Sequence, residues 1–442
     1  MPEAPTPDHG LAGMPEGILA IGLVHLARGR EGGVVFVARS EARAQRLAGA
    51  ATDLAPGLEV LVLPAWDVAP GDRAAPSRSV LGRRAAVLSR LATAPRAPRL
   101  LLAPTEAALQ LMPPPECWSE AGLALHAGMT FDEEALRLYL VRAGYILDER
   151  VDEPGEAAIR GAVAEMFPAG AKLPVRCDIA DGTLRQIRTY DPVSQRSEGA
   201  VESVELLPVS EILLTEPVLD RLVGALAERA HPDPDALRTE LLAGRRPFNF
   251  DLLLPWAYPR LASLFDYLPG AAFLPDTEAG ERAAAYWEQV AEGREAGLRA
   301  PADIPLPDPW QSRLDAAAWS AGLAGHPALP LEGDGGPAQS VAPAGSLRAA
   351  IRQAAARLDE GMSVVIACGS TGEAERLSAE AGAALGREVA LLPAWPEALP
   401  PHSCAVMTLR LAEGFVSDGL AVIPLHRPGG DDSSRQPARP PF

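Results

Sequence analysis

Two stretches near opposite ends of this chain follow one design. Val34–Leu47 reads VVFVARSEARAQRL, and Val364–Leu377 reads VVIACGSTGEAERL. About sixteen residues after each comes an apolar segment ending in Leu-Pro-Ala-Trp, at Leu63–Trp66 and at Leu392–Trp395. A short, β-branched apolar run followed by helical periodicity and a second such run is a strand–helix–strand unit. Ser40 suits the N-cap of the first helix, which is expected over Glu41–Ala51. Residues 58–63 predict the next strand, Val80–Leu91 a helix and Arg99–Ala103 a buried strand. Strands alternating with helices imply a parallel sheet. The echo has two explanations, convergent α/β patterning or a duplicated nucleotide-fold half that has lost its nucleotide site. Both predict a second α/β domain over residues 331–426. The Gly369-Ser-Thr-Gly372 turn reads as a tight strand-to-helix connection rather than a phosphate cradle.

The residue inventory bounds the chemistry. The chain has one lysine, Lys172, followed by Leu173. A P-loop needs a lysine for the β- and γ-phosphates and a Ser or Thr after it for magnesium, so no such site exists in these 442 residues. The net charge of −18 argues against DNA binding along the whole length, which relies on basic surface and counterion release. Cys117, Cys177, Cys368 and Cys404 are far apart and form no CxxC pair, so buried reduced thiols are expected and no metal or other cofactor. No catalytic residues are assigned: neither a Gly-x-Ser-x-Gly elbow nor a carboxylate pair stands out. No run of apolar residues is long enough to cross a membrane, and the acidic, Pro-rich start lacks the pattern of a signal peptide, which predicts a cytoplasmic location.

The organisation read along the chain is multi-domain α/β. Residues 1–15 and 427–442 are expected to be disordered. Residues 16–121 form a parallel-sheet domain. Residues 122–210 form a separate small α/β domain, with a helix over Glu133–Ala143 and short strands broken by turn signals. The strongest of these signals is Asp181-Gly182. Residues 211–330 are a mixed, largely helical segment, and residues 331–426 the third domain.

Specific motifs point further. Leu63-Pro-Ala-Trp66-Asp67-Val-Ala-Pro-Gly-Asp72-Arg-Ala-Ala-Pro76 is followed by a helix bearing Arg83 and Arg84. Then come Gly144-Tyr145, Glu153-Pro-Gly155-Glu156-Ala-Ala-Ile-Arg160-Gly161, Glu165-Met-Phe167-Pro168, Leu173-Pro-Val-Arg176-Cys-Asp178 and Asp191-Pro-Val-Ser-Gln-Arg196. In order and spacing this set resembles the UvrB-homology module at the front of bacterial transcription-repair coupling factors. The resemblance implies a degenerate RecA/Rossmann-type parallel-sheet domain without a P-loop. It also implies an inserted small α/β domain that binds UvrA, and a second α/β domain near the C-terminus. Leu264–Pro269 resembles the family's return strand into the first domain.

The resemblance implies partner-binding roles for Arg160 and Arg176, with Gly161, Asp178 and Ala180 beside them. It implies framework roles for Trp66, Asp67, Asp72, Arg84, Gly155, Glu156, Phe167 and Pro168. Arginine suits such an interface, because its planar guanidinium pairs carboxylates at two points and is weakly hydrated. From Arg160 to Arg196 six basic residues face four acids, a local surplus of two in a chain of −18. The family carries an aromatic contact four positions after the second arginine, where this chain has Ala180. A weaker hold on UvrA, or a partner adjusted to fit, is therefore expected. Residues matching the family's polymerase-binding domain, motor lobes or C-terminal regulatory domain are not found in this sequence. The expectation is thus a motorless UvrA-binding module with its patch constitutively exposed. The alternative is one part of an ATP-dependent translocase whose motor is on another chain. The DNA backbone is a further candidate contact, weak at most.

Overall fold

The computed structural model describes residues 14–93, 97–119, 121–229, 233–247, 249–299, 306–327, 338–396 and 398–425. Apart from Met14 and Pro15, the stretches expected to be disordered lie outside them. Pro15 is buried and precedes a helix over Glu16–Arg28, which the sequence reading did not anticipate.

The first strand–helix–strand unit forms as expected. Val34–Ala38 is a strand with all five residues buried. The Ser40 side chain accepts the Arg43 N–H and caps the helix Glu41–Leu54. The strands Glu59–Val62 and Arg99–Pro104 follow. All pairings in this sheet are parallel, with Arg99–Pro104 between the other two. The fourth strand returns from far along the chain. It is Ala272–Pro275, which pairs with Val34–Val37. Leu264–Pro269, expected to be that strand, instead begins with a single helical turn over Leu264–Tyr267. The reason is local: Ser263 and Asp266 form a reciprocal capping box across it. The strand itself starts only after the turn at Gly270.

The second unit repeats this plan. Ser363–Cys368 is a fully buried strand, Ser370 caps the helix Thr371–Leu385, and the strands Ala390–Leu392 and Cys404–Thr408 follow. Cys404–Thr408 again lies between the two earlier strands, and Leu420–Pro424 takes the place of the return strand. The four parallel strands therefore occur in the same order in both sheets. Each unit is also preceded by a helix, Glu16–Arg28 or Leu347–Asp359. The echo in the sequence is an echo of topology, which both explanations accommodate.

The two sheets share a layer. Helices Glu16–Arg28 and Glu41–Leu54 cover one face of the first sheet through Phe36, Leu100 and Leu102. The opposite side of that helical layer packs on Val365, Ala367, Ala405 and Met407 of the second sheet. The second sheet's other face, with Val364 and Ile366, is covered by its own helices Leu347–Asp359 and Thr371–Leu385. The C-terminal sheet thus takes half of its covering from the first domain. Asp53 clamps the junction through Arg410, with side-chain contacts of 2.8 and 2.9 Å.

Glu16 is held between Arg43 at 3.0 Å and Arg46 at 2.7 Å. Burial pushes its carboxyl up, but bonds and charge from Arg46, then Arg43, outweigh this and leave it below the usual carboxylate value. A carboxylate depressed in the folded state stabilises the fold above its unfolded pKa. That contribution is lost as pH falls through the folded value. Glu16→Gln should therefore cost about 1–2 kcal/mol at neutral pH. Thermal melts should show the gap to the parent protein closing as the pH drops below the carboxylate range.

Burial raises all four thiols, to about 11 for Cys117, Cys368 and Cys404 and about 12 for Cys177. They are free, neutral thiols at physiological pH, in keeping with the reading of them as structural. Among the described residues, no group of His, Cys, Asp and Glu could hold a metal ion. No helix there is long and apolar enough to cross a membrane.

Candidate functional site: a guanidinium pair on the small second domain

The second domain has one helix, a two-stranded sheet of Leu123–His126 with Ser203–Leu206, and a six-stranded sheet. The strands of the larger sheet run in the order Ser197–Val201, Thr183–Tyr190, Val175–Ala180, Val163–Met166, Glu156–Arg160 and Ile146–Leu147. Only the last pair is parallel. The helix Glu133–Ala143 has the bounds the sequence predicted. Asp132 caps its start, and Gly144 at φ 95° ends it. Its apolar stripe of Leu136 and Leu140 covers one face of the sheet, against Ala164, Met166, Cys177 and Ile187. Alternation along the strands sends Arg160, Glu165, Arg176, Asp178 and Arg188 to the opposite face.

Turns set which residues meet on that face. Gly155, at φ 88°, donates its N–H to the Phe167 carbonyl at 2.9 Å, and Phe167 N–H returns to Glu156 O at 2.9 Å. The Glu156 carboxylate accepts the N–H groups of Asp152 and Glu153, both at 2.9 Å. This fixes the start of the strand that ends in Arg160. Gly161, at φ 57°, occupies the first central position of a two-residue turn that pairs Arg160 with Val163. At the far end, Asp181 and Gly182 (φ 51° and 66°) make the expected tight turn between Ala180 and Thr183. Phe167 and Pro168 are buried, and Phe167 packs with Val151 and Ala158.

The two arginines flank one carboxylate. Glu165 is on the central strand, directly opposite Arg176 and diagonal to Arg160. Its Oε1 lies 2.6 Å from Arg176 Nε, and its Oε2 lies 2.7 Å from Arg160 Nη2. Glu165 is buried, with only 5% of its surface exposed. The Arg176 side chain is 23% exposed and the Arg160 side chain 57%. Arg176 also stacks on the Tyr190 ring at 4.6 Å and donates from Nη2 to Gln195 Oε1 at 3.2 Å. Burial, then the charge of Glu165, push the Tyr190 phenol upward, so the ring it offers is neutral. Beside this triad Asp178 pairs with Arg188 at 2.5 Å. Ala180 is exposed at the strand's end.

The guanidinium pair is therefore neither free nor fully matched. Two positive groups share one carboxylate, leaving one net positive charge among Arg160, Arg176 and Glu165. Both groups keep N–H donors: among the described residues, Nη1 of neither arginine has a partner. Sequence reasoning singled out the arginines but missed Glu165, Tyr190 and Gln195, which hold them. The signal for Glu165 was present. A glycine turn after Arg160 brings residues 158 and 165 face to face.

The other framework residues, Trp66, Asp67, Asp72 and Arg84, lie elsewhere, at the joint between domains. Of the two candidate arginines, Arg84 is the buried one, on the helix Arg78–Leu91. Its Nε meets Glu211 Oε1 at 2.5 Å, and its Nη1 meets the Pro64 carbonyl at 2.6 Å. Trp66 Nε1 donates to the same Glu211 oxygen at 3.1 Å. Asp67 accepts the Ser77 N–H at 2.9 Å, and Asp72 accepts the Ala69 N–H at 3.1 Å. The Pro70-Gly71 corner of this loop presses on Gly293 of the helix Ala279–Arg299. A Cβ at Gly293 would fall 1.9 Å from Pro70 O. Gly293→Ala should cost about 1–3 kcal/mol through overpacking, read as a fall in melting temperature. An unchanged melting temperature would mean that the loop yields.

Comparison with known proteins adds to this geometry. Residues 123–212 match the family described as the UvrB interaction domain. The N-terminal 60% or so of the chain is similar to the N-terminal part of transcription-repair-coupling factors. The protein of that name from Haemophilus influenzae is 28% identical over 283 residues, 63% of this chain and 24% of the relative. The one from Escherichia coli is 28% identical over 258 residues, 58% and 22% of the two chains. The one from Myxococcus xanthus is 32% identical over 258 residues, 55% and 21%. This chain thus spans about a quarter of the length of each.

Proposed function

We propose that this chain takes part in nucleotide-excision repair by binding UvrA through the open sheet face of residues 122–210, with Arg160 and Arg176 as the principal contacts. The observation that carries this reading is the pair of guanidiniums sharing one buried carboxylate, on a domain that matches the UvrB interaction family. Such a face can accept carboxylates from a partner without first breaking up a neutral ion pair. Arginine is also the cation most often found at interface hot spots. No nucleotide-driven step is assigned to these 442 residues, because their one lysine precedes leucine. The test is a titration of purified UvrA with the purified chain. Saturable one-to-one binding is expected, and its absence at low ionic strength would end the proposal.

Ala180 provides a gain-of-affinity test. It is exposed beside the proposed contact, where the resemblance implies an aromatic side chain. Ala180→Phe should tighten UvrA binding about tenfold, the lower range for an aromatic anchor. Unchanged affinity would remove Ala180 from the contact surface.

The length of the relatives favours a second reading. The stretches that match cover only 24%, 22% and 21% of those relatives, which extend well beyond the matched region. In that reading the same UvrA contact serves a translocase whose motor lies on residues outside these 442. Stimulation of ATP hydrolysis by a separate motor-bearing polypeptide, on mixing with this chain, would support it.

A further inference from the structure

We infer that Glu165 is a positioning residue that sets the lifetime of the complex formed on this face, although it is buried beneath the contact and does not offer itself to the partner. The inference rests on the reading of the face as UvrA-binding and deepens it.

Three observations carry it. First, Glu165 divides its two oxygens, one to each arginine, at 2.6 and 2.7 Å. A carboxylate exposed by only 5% is stable only when paired, so the pairing is obligatory rather than occasional. Second, the grip leaves Arg176 little freedom. Its Nε is fixed by Glu165, its Nη2 by Gln195 at 3.2 Å, and its plane by Tyr190 at 4.6 Å. Arg160 has no such stack and is more than half exposed, so Glu165 is its principal restraint among the described residues. Third, one carboxylate cannot neutralise two guanidiniums, so the triad keeps a surplus charge of one. Glu165 thus orients both donors and still leaves the face attractive to acid. The complementary partner surface is one that presents two carboxylates at a matching separation. Ordering the donors before the encounter lowers the entropy lost on binding, which acts on dissociation more than on approach.

Two variants of the full chain test this, with purified UvrA as the probe and binding rates followed at two salt concentrations. Glu165→Gln preserves the shape but raises the triad's charge from one to two. Association should be unchanged or faster, and dissociation about tenfold faster. Glu165→Asp keeps the charge but is too short to reach both arginines. Association should match the parent chain and dissociation should again be faster. A purely structural role would lower the fraction of competent molecules and leave both rate constants where they were. If Glu165→Gln does not fold, Glu165→Asp decides. Parent-like dissociation in the folded variants, with Arg176→Ala still weakening binding, would overturn the inference and leave the proposed function standing. Absence of UvrA binding by the parent chain would overturn both.

Discussion

Arg84→Ala should destabilise the protein by about 3–5 kcal/mol, the cost of stranding a buried charge. Arg84 is fully buried, and Glu211 is 1% exposed. Two of the Glu211 carboxylate's side-chain donors are Arg84 and Trp66. Removing the guanidinium leaves a carboxylate in an apolar setting beside Leu81, Ile212 and Leu214, with one indole N–H to satisfy it among the described residues. The Pro64 carbonyl also loses its bond at 2.6 Å. Replacing both partners by apolar residues, Arg84→Met with Glu211→Leu, should cost much less, because no charge is stranded. Urea unfolding of the two variants separates the cases. A loss below about 1 kcal/mol for Arg84→Ala would show that water reaches Glu211 and that the joint is not sealed.

Arg176→Ala should weaken UvrA binding by about 2–4 kcal/mol, some 30- to 1,000-fold, the range of an interface hot spot. Arg160→Ala should cost nearer 1 kcal/mol, since a solvent-exposed cation gains less from pairing. The contrast follows from how each side chain is held. Arg176 is stacked and bonded before any partner arrives, whereas Arg160 projects into solvent on one bond. Arg176→Lys should behave almost as Arg176→Ala, because an ammonium can neither stack as a plane nor bridge two acceptors in fork geometry. Retention of full affinity in Arg176→Lys would mean that charge alone is recognised.

The sequence carried much of this architecture, for physical reasons that can be named. Runs such as VVFVA and VVIAC read as strands because they are short and rich in β-branched residues, and Ser40 marked where the chain turns into helix. The helix Glu133–Ala143 was legible because its cap, its period and the glycine after it agree. What stayed hidden involves partners distant in sequence. Trp66, Arg84 and Glu211 converge across 127 residues of chain or more, and nothing near Glu211 announces its role. Leu264–Tyr267 has the apolar content of a strand, and its capping box won over it. The second sheet's apolar outer face implied a cover but not that the first domain's helices supply it. At the candidate site the arginines were visible, but Glu165 counted only as a motif residue and an opposing acid, with no role beside the arginines. Its function depends on ladder register, which a glycine turn fixes.

One titration decides whether the two arginines hold UvrA. Purified UvrA would be titrated with the parent chain and with the Arg160→Ala, Arg176→Ala double variant, each at low and at high salt. The parent should bind saturably, with an affinity that falls as salt rises, because screening acts on a contact led by cations. The double variant, melting at the parental temperature, should lose that binding by about 30-fold or more. Parental affinity in the folded double variant would show that the two arginines do not hold UvrA.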